Sequence, residues 1–531
     1  MAVYLKFRGA ALLAAIAVGC IGSASALTAT VNGLADNTAN LTFQEISGAV
    51  NYVQAQDPTG PHVINVTTDA LPVADDEVVI NTPMTINGDA DNNGVKCDCL
   101  VDVAAIQNKV TSLGQSAKCY IELQTSGSVL INNLKIHPNA DAVNTAATRV
   151  DGIRAYSPDS GEGTYTLDHV FLSGSDSNNN YESLQTSEVL YIKSGEKRWS
   201  NQAASGNAVI NLTKIAGLNG GFYNAVLNDC HAGLGFAYAL NLVNDSGGHT
   251  TVNGGLYGHC GLDAIRISGS NNSIIGTPTD RVRLVRFNQE ATGGHGLEMV
   301  TDASADMVTY VDSGLGNNPF NPDQTQHTAN MFAFRASTAL GTFSHCRALG
   351  YDSPNKTSNN GVYWDLQTVT VVNVSDCTFV GLEGNPNPFQ TSTKFDATLN
   401  VSDSIFTSMD LGMIINGNND SIGVVNLDHC AIPTDGYTSE SLNVDAPITT
   451  GTTTIFDTNT LHDSPHYMLT VSSYDWSDAQ GSADPLNGPG NANVLRPSNP
   501  TYSAARSDGT ALVGGAGPAT AGIKADDWML M

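Results

Sequence analysis

The sequence predicts an all-β protein, a solenoid of stacked parallel strands, and three observations carry that prediction. First, segments of one plan recur. "GVYWDLQTVTVVNVSDCTFVG" (Gly361 to Gly381) and "GMIINGNNDSIGVVNLDHCAI" (Gly412 to Ile432) each run from a glycine through a short strand, a polar stretch, a second strand and a polar corner. "MFAFRASTALGTFSHCRAL" (Met331 to Leu349) and "GLEMVTDASADMVTYVDSGL" (Gly296 to Leu315) follow the same plan. Second, the residues just after the corners, read as Leu134, Val170, Thr213, Cys230, Gly255, Val285, Ser313, Cys346, Cys377, Ser404 and Cys430, mostly stand 25 to 33 residues apart from Cys230 onward. Third, apolar residues alternate with polar ones and are rich in Val, Ile and Thr, which is strand periodicity and not helix periodicity. So small a unit cannot bury its own apolar edge, but stacked copies can.

The elements follow in order. Lys6 and Arg8, an apolar run from Ala10 to Val18, and Ala24-Ser25-Ala26 read as a secretory signal over residues 1–26, too short to remain as a membrane span. Cys20 leaves a lipid anchor as the alternative. Residues 27–62 form an N-terminal cap. In "TFQEISGAVNYV", Thr42 and Glu45 have capping-box spacing and Phe43, Ile46, Val50 and Val53 share one helical face. Such a helix would shield the first strand edges. "HVINV", "EVVINT" and "MTING" read as the first strands of the repeat, which spans residues 63–455. Residues 456–531 are an irregular C-terminal cap or tail, rich in turn-forming residues from Ser472 to Pro500, with the final "ADDWMLM" packing back.

A net charge of −28, with only 14% of residues charged, excludes nucleic acid and anionic lipid as long-range partners. No later segment has the length and apolarity of a transmembrane helix. The expected location is secreted or at the cell surface.

Coils of this length with polar corners resemble the right-handed parallel β-helix of the pectin-lyase-like superfamily. The resemblance implies a rise of about 4.8 Å per coil and a rod on the order of 55 to 60 Å long. It also brings in polysaccharide lyases and glycoside hydrolases as enzyme classes, with calcium as the ion that neutralises uronates.

In that frame Cys230, Cys346, Cys377 and Cys430 share one inward position and read as a buried ladder. His169, His345 and His429 fall on the corner, in the place held by Asn133, Asp229, Asp312, Asp376 and Asp403, and read as turn residues. Aligned first strands give an inward column of Ile153, Leu190, Phe236, Ile265, Leu297, Phe332, Val362 and Met413. Beside it, Arg154, Tyr191, Ala237, Arg266, Glu298, Ala333, Tyr363 and Ile414 should face solvent.

The candidate catalytic group is Asp263 beside His295 and Arg266 beside Glu298, each pair one strand spacing apart. A carboxylate, an imidazole and a guanidinium on one face can do acid–base work or bind a carboxylated sugar; the alternative is an exposed ion pair and a turn cap. "GHG" at Gly294 to Gly296 resembles the histidine motif of polygalacturonases, but the Asp-Asp pair and the Arg-Ile-Lys motif of that family are absent. Glycoside hydrolysis generally needs two flanking carboxyls. Arg283 and Arg286, from "DRVRLVRF", form either a uronate-binding strip or a solvated strand face, and Tyr191 and Tyr363 could stack on sugar rings.

Asp89, Asp91 and Asn93 before Gly94 match the first half of a calcium loop, with Leu100 where its bidentate glutamate would stand. A polar turn is the alternative. Cys119 is expected to pair with Cys97 or Cys99 in an exported protein. The expected function is a carbohydrate-binding or structural, adhesive protein, with a polysaccharide lyase or glycoside hydrolase as the alternative.

Overall fold

The computed structural model describes residues 26–102, 105–106 and 118–138, then between 150 and 456 the strands with the short corners joining many of them, and residues 506–507. Three long sheets dominate, and every strand pairing within them is parallel. From Cys97–Val101 onward the chain visits them in rotation. Ser128–Asn132 lies in sheet 1, Leu134–Pro138 in sheet 2 and Val150–Ala155 in sheet 3, and Thr164–Asp168 returns to sheet 1 beside Ser128–Asn132. This continues to Ile448–Thr450 and Ile455–Phe456, giving sheets of 15, 12 and 12 strands.

The register follows from alternation. In sheet 1 one inward column reads Ala29, Ile64, Ile86, Ile131, Leu167, Leu227, Val252, Ile274, Ala305, Phe343, Val374, Val401 and Leu427, all essentially buried. A one-residue slip in any strand would turn this column to the outside, so burial fixes the register.

Seven of the described circuits leave sheet 1 at a sharp corner held by a non-glycine residue. Asn133, His169, Asp229, His345, Asp376, Asp403 and His429 hold φ between 43° and 54° there. These are the polar residues that tolerate the left-handed region, which accounts for the turn role that the sequence assigns to the histidines. Asp312 is not among them: its circuit leaves sheet 1 after Asp306, and residue 312 lies outside the described residues.

The inward position after the corner carries Leu134, Val170, Cys230, Gly255, Cys346, Cys377, Ser404 and Cys430 as expected, but Val282 and Val308 occupy it where Val285 and Ser313 were expected. Thr213 belongs to sheet 3. Val282 and Val308 each stand an odd number of positions before the residue expected, an offset that changes face in an alternating strand. Gly255 is required at its position: φ is +95°, and an added Cβ would lie 2.2 Å from the Cys230 carbonyl oxygen.

Near the N-terminus the structure adds two strands and corrects the capping expectation. Thr28–Val31, placed in the cap by the sequence, is already a strand of sheet 1, and Thr42–Phe43 is a short strand beside it. Helix α1 runs over Ile46–Gln56, buries Ile46, Ala49, Val50 and Val53, and packs on Val78–Ile80, Thr28–Val31 and His62–Val66. Thr42 does not cap it. Glu45 is the N-cap residue and makes no side-chain capping bond.

The capping acceptor comes from Asp75, whose carboxylate takes the backbone N–H of Ile46 at 3.1 Å and of Ser47 at 3.2 Å, and the Tyr120 hydroxyl at 2.8 Å. Asp75 is fully buried. Burial pushes its carboxyl above the usual range, with the bonds from Ser47 and Tyr120 opposing.

Two predictions follow from these contacts. Asp75→Ala leaves three buried donors without their acceptor and should cost about 1–3 kcal/mol in urea unfolding. Because the folded-state value of Asp75 is raised, its stability contribution is fully present below the unfolded value of about 3.9 and is lost as pH rises through the folded value. Hydrogen exchange across Ile46–Gln56 should therefore speed up with rising pH beyond its intrinsic trend, and Asp75→Asn should flatten that excess. Separately, burial raises the Cys230 and Cys377 thiols and pushes Cys430 up to about 12, so the reactive thiolate is suppressed. Cys230, Cys346, Cys377 and Cys430 should stay unlabelled by a disulfide reagent at about pH 8 until the protein is denatured; labelling of the native protein would mean that the ladder is open.

Candidate functional site

Sheet 3 carries the residues on which the catalytic expectation rests. Ile265–Ile267 pairs with His295–Met299, so that Ile265 stands opposite Leu297 and Arg266 opposite Glu298. The expected pair is present: Arg266 Nε lies 3.5 Å from Glu298 Oε1. Asp263 precedes Ile265 by two residues, as His295 precedes Leu297, and His295 continues into a register column of Asn330, Asn360 and Asn387. The His295 side chain lies outside the described residues.

Burial alters the chemical expectation. Asp263 is 3% exposed and Glu298, expected to face solvent, 4%, while the Arg266 side chain is 38% exposed. Among the described side chains of the group Arg266 is the accessible one, and Glu298 beneath it holds its guanidinium in place.

Of the inward column, Ile153, Ile265, Leu297, Phe332 and Val362 are in register, but Ile210, Leu240 and Ile415 stand in it where Leu190, Phe236 and Met413 were expected. Leu190, Phe236, Met413, Tyr191 and Arg286 lie outside the described residues. Tyr363 stands between Ala333 and Gln390 on sheet 3, its side chain likewise outside them.

Arg283 is corrected from a solvated strand face to a buried one, at 2% exposure. Its neighbour Arg281 is also buried and donates to the carbonyl oxygens of Val308, at 3.3 Å, and His345. Desolvation lowers the Arg281 guanidinium to about 10. Arg281 thus joins the next two circuits from within, a role the basic density of "DRVRLVRF" did not reveal.

The corner histidines sit among carboxylates. His169 Nδ1 lies 2.6 Å from Asp168 Oδ1, and this bond raises its imidazole above the ordinary value. His345 Nδ1 lies 2.9 Å from Asp306 Oδ1, and His429 Nδ1 2.9 Å from Asp428 Oδ1. Each joins a strand end to its own or a neighbouring corner.

The acidic loop is bonded to itself. Asn93 Nδ2 donates to Asp69 Oδ1 at 2.8 Å and to Asp91 Oδ2 at 3.0 Å, its backbone N–H donates to Asp89 Oδ1 at 3.0 Å, and its side-chain oxygen accepts from Val95 N–H at 2.7 Å. Asn92 and Gly94 take the positive φ values of the turn. The Asn93 amide thus ties Asp69 to Asp91 while its oxygen is taken by the Val95 N–H, the bonding of a polar turn. Among the described residues no group of three or more His, Cys, Asp or Glu side chains is disposed to hold a metal.

Beyond the loop, Cys97 and Cys99 are buried free thiols on Cys97–Val101 with sulfurs 3.8 Å apart, so the expected disulfide to Cys119 is not formed by either. Cys119 stands on sheet 3, while Cys97–Val101 belongs to sheet 2. Lys96 Nζ lies 4.6 Å above the Phe171 ring, a cation–π contact on the outside of sheet 2.

Two features go beyond the reading of the sequence. One is Asp75, whose signal is an acidic cluster, Asp75-Asp76-Glu77, just ahead of a strand. The other is the pair of corners Asp376 and Asp403, which repeat the tetrapeptide Asn-Val-Ser-Asp. In comparisons with known proteins the chain matches no family model, and no curated protein and no solved structure is significantly similar to it.

The Arg266–Glu298 pair is measurable by a double-mutant cycle. Arg266→Ala, Glu298→Gln and the double variant should give a coupling of about 0.5–1 kcal/mol in denaturant unfolding, in keeping with the half-open guanidinium. A coupling indistinguishable from zero would mean that the two charges do not act on each other.

Proposed function

We propose that the chain is an exported right-handed parallel β-helix, similar in plan to the pectin-lyase-like superfamily and closed at its first coil by helix α1. On this reading it works at the cell surface or in the extracellular matrix, binding carbohydrate along sheet 1 or serving there as a structural, adhesive element. The rotation of strands through three all-parallel sheets supports the coil. The packing of α1 on the first strands of sheets 1 and 3 supports the closure.

One observation carries the binding reading: sheet 1 presents an unbroken outward column of partly exposed residues, nearly all of them polar. On sheet 2 the outward residues Phe171, Arg283, Thr378, Ile405 and Ala431 are buried while Asp98 and Lys135 are partly exposed, and on sheet 3 Glu298 is buried while Glu122 and Arg266 are partly exposed. On sheet 1 the outward column Thr166, Val226, Thr251, Ser273, Ser304, Thr342, Asn373, Asn400 and Asn426 is partly exposed throughout. Parallel sheets usually have both faces covered.

This face is long and regular. Fifteen strands at about 4.8 Å make a strip on the order of 65 Å. Side-chain bonds along it, Asn400 to Asn373 at 2.9 Å, Asn426 to Asn400 at 2.7 Å and Ser273 to Thr251 at 3.3 Å, hold amides and hydroxyls in rows. No Lys or Arg stands in these rows. Hydroxyls and amides without cations suit a neutral polyhydroxylated chain better than a polyanion.

A polysaccharide lyase or glycoside hydrolase is the second reading, favoured by Arg266 and Glu298 beside Asp263. One experiment separates the two. The exported protein is incubated with neutral and uronate polysaccharides, with and without calcium, while co-sedimentation, unsaturated products and reducing ends are followed. We expect binding to a neutral polymer without sustained product, weakened about tenfold, equivalent to about 1.4 kcal/mol, by Thr251→Lys, Ser304→Lys and Asn400→Lys together. Turnover abolished by Arg266→Ala or Glu298→Gln would establish the enzyme instead.

A further inference from the structure

Two corners of the stack share one local sequence. Asn373-Val374-Ser375-Asp376 and Asn400-Val401-Ser402-Asp403 occupy adjacent strands of sheet 1 in register, Ser375 opposite Ser402. Both aspartates turn the chain at φ 51°, and the Asp376 N–H donates to the Ser402 carbonyl at 3.2 Å, locking one corner on the next. The result is two like carboxylates about one strand spacing, ~4.8 Å, apart.

Both carboxylates are engaged by consecutive residues from far along the chain. Arg506 donates from Nε to Asp376 Oδ1 at 2.7 Å and from Nη2 to Asp376 Oδ2 at 2.8 Å. Ser507 donates from its backbone N–H to Asp403 Oδ1 and from its hydroxyl to Asp403 Oδ2, each at 2.7 Å. Four donors of a dipeptide meet four carboxylate oxygens. The Asp376 side chain is 8% exposed and that of Arg506 27%, so this is a charge-assisted, two-pronged contact partly shielded from water.

The spacing explains the fit. Consecutive Cα atoms lie 3.8 Å apart, close to the strand spacing, so a segment running along the stack meets one corner per residue. The neighbouring corners are His345 and His429, which leave an acidic pair flanked by imidazoles. A fork of parallel N–H groups selects arginine over lysine at the first position.

We propose that the Asp376–Asp403 corner is a docking strip for an arginine–serine segment, held in cis by Arg506 and Ser507 as a latch. The same strip accepts such a segment in trans when the latch is removed. Nearby, Thr378 and Ile405 are fully buried although they alternate with the inward Cys377 and Ser404, so this side of the stack is covered, as a docked segment requires.

The test uses the full chain and a labelled peptide of residues 501–511, TYSAARSDGTA. The peptide should bind the Arg506→Ala/Ser507→Ala chain at least tenfold more tightly than the wild type, whose latch competes. Adding Asp376→Asn and Asp403→Asn should abolish that binding, as should replacing the peptide's arginine by lysine. Asparagine tolerates the left-handed corner, so these variants keep the turn. In the wild type the Ser507 amide should exchange hydrogen at least tenfold more slowly than in Asp376→Asn/Asp403→Asn. Equal exchange in the two chains overturns the latch. Protected Ser507 without preferential peptide binding to the Arg506→Ala/Ser507→Ala chain overturns the strip as a docking site.

Discussion

The constraint on which the rest of the molecule depends is the left-handed corner between sheets 1 and 2. A chain leaving one strand must turn sharply within a single residue, so that the following residue points inward and the next strand starts in register. Only glycine or a residue such as Asn, Asp or His accepts that backbone at low cost, and the corners carry Asn133, His169, Asp229, His345, Asp376, Asp403 and His429. Because the corners stack, their polar side chains fall into a column on the outside. A purely conformational demand thereby concentrates carboxylates and imidazoles along one edge of the molecule.

That coupling explains both what the sequence made legible and what it concealed. The alternation that buries Ile131, Leu167 and Leu227 can be read directly, since a period of two survives changes in loop length. The corner can be read as well, because few residue types occupy it. Register between distant strands is harder. Val282 replaces Val285 in the inward position because a strand of four residues offers two apolar positions of similar character, and only the pairing of Arg283 with Leu256 decides between them. The candidate site was legible as a pairing and not as an environment: Arg266 does face Glu298, but alternation says which way a side chain points and not whether something lies over it.

The same limitation accounts for the basic strand. Arg281 and Arg283 resemble a surface strip when only local density is considered. In the folded chain Arg281 spans two circuits to reach the carbonyl oxygen of His345, a partner 64 residues away that no local pattern reveals. A buried guanidinium is tolerable because its donors meet carbonyl oxygens. The polar rows of sheet 1 are partly exposed throughout, and this is why the proposed function rests on that face and not on the charged residues that first attract attention.

The two ends meet a shared physical problem with related solutions. A stack of parallel strands presents unpaired edges and uncovered faces wherever it stops, and such edges invite association. At the beginning, a segment outside the rotation, helix α1, is held by a carboxylate from the strand region, Asp75, acting on two backbone N–H groups and meeting the Tyr120 hydroxyl. Toward the end, a segment outside the rotation is held by carboxylates from the corners, Asp376 and Asp403, acting on a guanidinium, a hydroxyl and a backbone N–H. In both cases the stack supplies the acceptor and the added segment supplies the donors. The difference lies in water: Asp75 is sealed inside, where its loss disrupts packing, whereas the corner pair meets a partly exposed donor, Arg506, that can be exchanged. The first fastening therefore belongs to stability, and the second is where a fold of this kind can acquire a reversible contact.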